Sequence, residues 1–343
     1  SVSNRSNGAG QLVMMQFGLI GIGAGAAAAL LFASVTSGSW LSIVLFYLAP
    51  LPILIAGLGW SQWAALTGAL TGALALGLVF GTVFFFAFLA GAGIPAWWLG
   101  YLTMLARPAP GGAPLNGGSS PAALEWYPPG RLVVWAAVLG ALIVVVAIPN
   151  FGTDAESFRL GLHDALARML RSETGATPDA PLSVPGVANV DRLIDFLVAA
   201  IPAAAAVLAT ITNVLNLYLA ARIVKFSGLL KRPWPQLSAM TFPLLTVAAL
   251  AIAMILSFVG SLVGIVAGVL SASLLLAYGV LGFAVLHAIT QGMDSRAFLL
   301  GGTYAAVLVF GWPVLALCLL GLIETAFNLR ARVAHKRGPP AVT

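Results

Sequence analysis

The side chains best suited to chemistry in this chain cluster in a segment that is otherwise apolar. "TITNVLNLYLAARIVK" (210–225) sets Thr210, Thr212, Asn213 and Asn216 a turn or two before Arg222 and Lys225. On a helix those four side chains spread over an arc of about 160°, one broad face. That face cannot look at hydrocarbon, which offers a side-chain amide no partner. It must point toward other helices or toward a wet cavity. Interhelical hydrogen bonds in membranes average only about 0.6 kcal/mol, so two neighbouring asparagines gain little as glue alone. Helix-joining and ligand-lining therefore stay open as alternatives.

Two further polar groups stand at the margins of apolar runs: His287 in "GFAVLHAITQG" and Glu324 in "GLIETAFNLRAR". Ionisable side chains at membrane depth are expensive and mark functional sites. Against that, both can reach headgroup water, and Glu324 has Arg330 and Arg332 close by in sequence. With Asn213 and Asn216 they form the candidate substrate-binding set. Asp191 and Asp195 open an apolar run, where carboxylates suit a helix N-terminus, so capping is expected of them rather than proton relay. There is no His-Glu-x-x-His, paired Cys-x-x-Cys, Gly-x-Ser-x-Gly or Gly-x-x-x-x-Gly-Lys. No enzyme, metal or cofactor is expected on that account.

Glycine patterns carry the other signals. "GLIGIGAGAAAA" (18–29) is glycine-rich in the manner of a dinucleotide-binding loop, but it lies inside an apolar run and reads as close helix packing. Gly260, Gly264 and Gly268, extended by Ala272, make a small-residue stripe at every fourth position. Such a stripe lets two backbones approach closely, either as a docking face for a partner subunit or as an internal contact. These three glycines are the candidate partner-contact residues. Gly68 with Gly72, and Gly77 with Gly81, read the same way.

The elements that must position these residues follow from composition. Of 343 residues, 60% are apolar and 8% charged, with a net charge of +6. Soluble domains carry about 25% charged residues, so no water-facing surface can be built here and the chain must sit in a bilayer. The basic residues fall at the ends of apolar runs, the positive-inside pattern, not in a patch interleaved with aromatics. That excludes nucleic acid as a partner. Cys318, the single cysteine, reads as a core thiol. The polar start "SVSNRSNGAGQ" lacks a small-residue cleavage site after the first apolar run, which is expected to be a retained span.

A hydrocarbon core about 30 Å thick needs roughly 20 apolar helical residues. Runs of that kind fall at 13–35, 38–58, 60–80, 81–106, 131–149, 193–221, 237–258, 261–289 and 298–326. The expected fold is all-α: a polytopic transmembrane helical bundle of about eight or nine spans with one external amphipathic helix. It divides into N-terminal membrane helices (1–106), a Pro/Gly-rich loop (107–130) expected to be irregular, a membrane helix (131–150), an external loop (151–190), C-terminal membrane helices (191–330) and a basic tail (331–343). The loop at 151–190 has three arginines against five carboxylates, −2, whereas Arg222, Lys225, Lys231 and Arg232 give the loop at 222–236 +4. The first belongs outside and the second inside. Nine full spans would then send the basic tail out. One late run must therefore be re-entrant or a pair of half-spans, with Pro313 and the glycines of 260–268 as the expected breaks. In the outer loop, Thr153 and Glu156 form a capping box ahead of an amphipathic helix whose apolar face is Phe158, Leu162, Leu166 and Met169. That helix lies flat in the interface or closes a cavity as a lid.

Several phrases together resemble the YybS-like family of bacterial multi-span membrane proteins: "GAGIPAWWLGYLTMLARP" (91–108), "ITNVLNLYLAARI" (211–223), "GFAVLHAI" (282–289) and "GLIETAFNLRARV" (321–333). The family is distantly similar to the substrate-binding membrane subunits of energy-coupling-factor transporters. The resemblance implies a multi-pass protein of the bacterial inner (cytoplasmic) membrane holding a small molecule in a helical cavity. This chain departs from it in being longer, with more spans and an extended outer loop. The expected function is transport-type binding of a small solute or lipid within the bundle. With no nucleotide-binding motif, it needs an energising partner subunit or a gradient. The alternative is a non-catalytic scaffold or accessory subunit of a larger membrane complex.

Overall fold

The computed structural model describes residues 2–109, 124–175 and 183–337. Residues 110–123 of the Pro/Gly-rich loop, Asp179 and the end of the basic tail (338–343) lie outside the described residues. The helices are α1 (Val2–Ala33), α2 (Trp40–Tyr47), α3 (Pro50–Gly59), α4 (Gln62–Phe80), α5 (Thr82–Phe88), α6 (Ile94–Thr103), α7 (Pro129–Ala147), α8 (Ala155–Thr174), α9 (Val190–Phe226), α10 (Leu244–Leu256), α11 (Leu262–Ile289), α12 (Arg296–Phe310), α13 (Val314–Phe327) and α14 (Leu329–Arg337). Among the described residues, seven helices are long and apolar enough to cross a membrane: Met14–Ser37, Trp40–Gly59, Gln62–Phe80, Thr82–Thr103, Pro129–Asn150, Val190–Phe226 and Leu262–Ile289. In Thr82–Thr103 a π turn, Leu89–Gly93, joins α5 to α6. Pro95 has no N–H to give the Gly91 carbonyl, and the ladder widens there.

The two remaining apolar runs are not single spans. The run at 237–258 narrows to α10, 13 residues or about 20 Å of helix. The run at 298–326 is cut at Gly311-Trp312-Pro313, with Gly311 at φ 71°, into α12 and α13 of 15 and 14 residues. Neither piece reaches the roughly 20 residues a span requires. The cut falls at Pro313, one of the expected break points. With α10 also short, however, the seven spans are again an odd number, which does not bring the basic tail to the side of 222–236.

Helix α4 shows what solvent surrounds it. Its buried residues are small, Ala64, Ala65, Gly68, Ala69, Gly72 and Ala73 with only Leu76 larger, while Leu74 and Leu78 are exposed, Leu78 by 88%. Small side chains inward and large apolar ones outward is the arrangement of a helix in lipid. The chain is a multi-pass membrane protein.

The chain divides into two compact units. The first comprises Ser1–Ala136 and Ile211–Thr241, the second Ala137–Thr210 and Phe242–Thr343. In the first, α1 and α4 pack backbone to backbone. A Cβ on Gly21 would meet the Ala64 carbonyl oxygen at 2.6 Å, and one on Gly25 would run into the Gly68 carbonyl. Gly72 is pressed in turn by the Phe88 ring, 2.7 Å from where its Cβ would be. The glycines of 18–29 thus pack helices, as their place in an apolar run requires. The ends of the Pro/Gly-rich loop are less irregular than expected. β1 (Ala106–Pro108) pairs antiparallel with β2 (Leu124–Trp126), and Arg107 Nε donates to Glu125 Oε2 at 2.8 Å. That contact holds the Glu125 carboxyl below its usual pKa.

The second unit repeats the device. A Cβ on Gly282 would run into the Leu317 carbonyl and one on Gly321 into the Tyr278 carbonyl, locking α11 to α13. Cys318 is buried at the same contact, its Sγ 3.2 Å from a Cβ built on Gly279. Gly140 on α7 lies against Thr210 on α9.

Helix α8 starts one residue later than the sequence pattern suggested. The cap is Asp154, not Thr153: Asp154 Oδ1 accepts from the Glu156 and Ser157 amides at 3.0 Å, and Ser157 Oγ accepts from the Asp154 amide. Asp reaches the free amides of a first turn as well as Thr does and adds a charge suited to the helix N-terminus. Phe158 and Leu162 are buried with Ile148, Val190, Ile194 and Val198, and Leu166 and Leu170 pack against them. Met169 is instead 61% exposed, because the i, i+4 series from Phe158 continues through Leu170.

Two outcomes follow. Gly25→Ala should cost about 1–3 kcal/mol of stability by overpacking, read as a lower Tm in detergent. Gly23→Ala on the same helix, with open space at that position, should be neutral or slightly stabilising. The Ser157 contacts hold the Asp154 carboxyl below its usual pKa. Its cap is therefore fully present above that usual value and lost as pH falls through the lower folded value. Amide exchange in the first turn of α8, corrected for intrinsic rate, should accelerate only under that acid condition.

Candidate functional site

The strongest candidate is a cavity of about 510 Å³ in the second unit. Its roof is the first turns of α8, with Phe158, Arg159 and His163. Its walls are the start of α9, from Asp195 through Val198, Ala199 and Pro202, and the α10–α11 turn with α11, where Ser257, Val259, Gly264 and Gly268 lie. Each wall has a local cause. Pro202 sits inside α9, and having no N–H it cannot bond the Val198 carbonyl, so the helical ladder loses a bond at the cavity wall. Ser257–Ser261 breaks α10 from α11, and the chain turns where the glycines allow it. The α8 residues Phe158 and Leu162 cover protein, and the first turns of the helix border the cavity, while Leu160 and Met169 stay exposed.

The lining is mainly apolar, from Val198, Ala203, Ile265 and Val269, with Arg159, His163 and Asp195 among its polar groups. Asp195 is thus at the cavity, a place its reading as a helix cap did not give it. His163 Nδ1 stands 3.9 Å from Asp164 Oδ1, too long for a strong bond. Such a lining suits a molecule with both apolar and polar parts.

No family model, curated protein or solved structure matches the chain.

The residues singled out by sequence are not brought together. Asn213 and Asn216 are buried in the first unit, so their face does point into the bundle. Asn213 Nδ2 donates to the Ala136 carbonyl on α7 at 3.1 Å. Asn216 Nδ2 donates to the Tyr47 carbonyl at the end of α2 and to the Thr212 carbonyl, both at 2.8 Å. With two carbonyls facing that nitrogen, the amide orientation is fixed, and Asn216 Oδ1 is left buried with no partner among the described residues. Both asparagines tie helices through their amide hydrogens. Thr210, the neighbour on that face, bonds its own helix at the Ala206 carbonyl.

His287 and Glu324 belong to the second unit but to separate places. His287 Nε2 lies 2.9 Å from the Tyr304 hydroxyl of α12, and Phe283 stacks on Tyr304 at 4.8 Å. Glu324 was expected to offer charge to a substrate; its carboxylate is already engaged. Oε1 accepts from Arg330 Nε at 2.8 Å and Oε2 from the Arg330 backbone amide at 2.9 Å. Asn328, left-handed at φ 49°, ends α13 and folds α14 back to make this closure.

The glycine stripe is also corrected. Gly260 precedes α11 and lies in the turn. A Cβ on Gly264 would strike the Val259 carbonyl, so its face is filled by the chain's own turn. At Gly264 the close approach is an internal contact. Gly260 has nothing within 4 Å of a built Cβ, and Gly268 has only Ser257 Cβ, 3.9 Å away, where it borders the cavity. Sequence reasoning passed over Pro202, whose place inside a predicted span was the available signal. Arg159 and His163 were visible only as the polar side of an amphipathic helix.

Glu324→Ala should cost about 3 kcal/mol by removing one partner of a largely buried ion pair, seen as a fall in Tm. The double variant Glu324→Ala with Arg330→Ala should recover part of it.

Proposed function

We propose that this is a transport-type membrane protein that holds a small amphiphilic solute or a lipid in the cavity beneath α8. The single observation carrying this reading is that cavity, whose volume of about 510 Å³ suits a small organic ligand. Its walls match the apolar part of such a molecule, and Arg159, His163 and Asp195 match the polar part. Sited at the start of α9, beside the charged residues Asp191 and Arg192, the cavity opens at the membrane margin rather than at its centre. The chain has no phosphate-cradling motif of its own, so an energising partner subunit or a gradient drives the cycle. Its proposed setting is a bacterial inner membrane, which the sequence phrases at 91–108, 211–223, 282–289 and 321–333 imply only through their resemblance.

The alternative, a non-catalytic scaffold or accessory subunit, draws on one observation. Helix α12 buries none of its residues, and Phe298 and Leu308 are more than 80% exposed. Photo-crosslinkers at those two positions would give protein adducts for a scaffold and lipid adducts for a helix facing the bilayer.

The test of the main reading is the molecule retained on purification in mild detergent. Mass spectrometry of the wild type should find a bound amphiphile, and Gly268→Leu, which fills the cavity, should reduce its retention at least about tenfold without lowering Tm. Equal retention by the variant would overturn the assignment.

A further inference from the structure

The first unit carries an unneutralised basic cluster at the C-terminal end of α9. Within Ser1–Ala136 and Ile211–Thr241 the sequence has one carboxylate, Glu125, and Arg107 holds it at 2.8 Å. Arg222 and Lys225 are exposed about one turn apart at the end of α9. Gly228, at φ 72°, stops the helix and reverses the chain, which brings Trp234 back onto it. The Trp234 ring lies 5.6 Å from Arg222 Cζ and 4.7 Å from Lys225 Nζ, and Tyr218 meets the same ring edge-on at 6.0 Å. Arg232 is committed elsewhere: buried, it donates Nη1 to the Thr103 carbonyl at 3.0 Å, at the C-terminal end of α6 where a cation is favoured.

The aromatic contact has a chemical consequence. A ring face attracts a cation electrostatically without accepting its hydrogens in a conventional bond. Trp234 therefore orders Arg222 and Lys225 while leaving their N–H groups for oxygen acceptors, and it does so for both cations at once. Mutual repulsion of the two charges is left for an anion to relieve. Beside them Phe226 is 96% exposed and Leu229 is also exposed. Toward the other end, α9 carries no charge over 196–221, roughly 40 Å of helix, about the thickness of a bilayer with its headgroup regions. The cluster therefore lies at headgroup depth, with an apolar surface adjoining it.

We propose that Arg222 and Lys225, held by Trp234, bind the phosphodiester headgroup of an anionic phospholipid, whose acyl chains lie along Phe226 and Leu229. The phosphate oxygens accept from both cations. A free phosphate satisfies the charges but leaves the apolar surface uncovered, and a zwitterionic lipid brings its own cation to a site already positive.

The full chain is to be purified in mild detergent and its retained lipid counted by native mass spectrometry, after adding phosphatidylglycerol or phosphatidylcholine of the same acyl composition. Wild type should retain phosphatidylglycerol preferentially. Arg222→Gln with Lys225→Gln should retain it roughly 30-fold less, the effect of losing two surface cations near an anionic lipid. Arg107→Gln, a cation outside the cluster, should leave retention unchanged. If the double variant does not fold, Trp234→Leu serves in its place with an intermediate loss, and the wild-type preference between the two lipids stands as a test by itself. Equal retention of both lipids by the wild type, or unchanged retention by the variants, overturns the proposal. Displacement of the lipid by millimolar inorganic phosphate alone would show a free-anion site and overturn it as well.

Discussion

Helices in a bilayer cannot be driven together by escape from water, because lipid tails are as apolar as leucine. What remains is close packing, and in this chain close packing means glycine. Gly21 and Gly25 meet Ala64, Gly68 and Gly72 with almost nothing between the two backbones, and Gly282 and Gly321 do the same between α11 and α13. At each contact a single methyl group would have to displace a carbonyl oxygen. Large apolar side chains are then free to face outward, as Leu74 and Leu78 do on α4.

Polar groups follow from the same constraint. With few of them and no water at depth, donors and charges turn to a carbonyl or an ion partner nearby, as the Asn213 and Asn216 amide nitrogens and the Glu324 carboxylate do. The sites left to interact with something else lie at the margins. One is the cavity under α8, where Arg159, His163 and Asp195 meet an apolar chamber. The other is the pair of cations on Trp234.

Helices, apolar runs and even the cut at Pro313 could be read from sequence, because hydropathy and backbone hydrogen bonding in lipid leave few alternatives. The inward direction of the Asn213–Asn216 face was legible for the same reason. What those amides touch was not: Tyr47 is 169 positions away from Asn216, and no local pattern reports such a pairing. The stripe at Gly260, Gly264 and Gly268 misled because period four implies one helix face, whereas α11 begins only at Leu262 and the preceding turn fills the space at Gly264. Glu324 was seen next to Arg330 in sequence, but only the left-handed Asn328 shows that the two close on each other. The cavity was invisible because it is assembled from α8, α9 and α11, none of which carries a motif.

Pro202 gives that cavity a mechanical property. A helix wall with an intact ladder resists bending, but one that lacks a rung bends at modest cost, and the missing rung here lies within the wall itself. The segment before it carries Ile194 and Val198, on which Phe158 and Leu162 of α8 pack, so lid and segment are joined as one body ahead of the joint. A bend at that joint moves lid and segment together, so a bulky guest need not part α8 from α9.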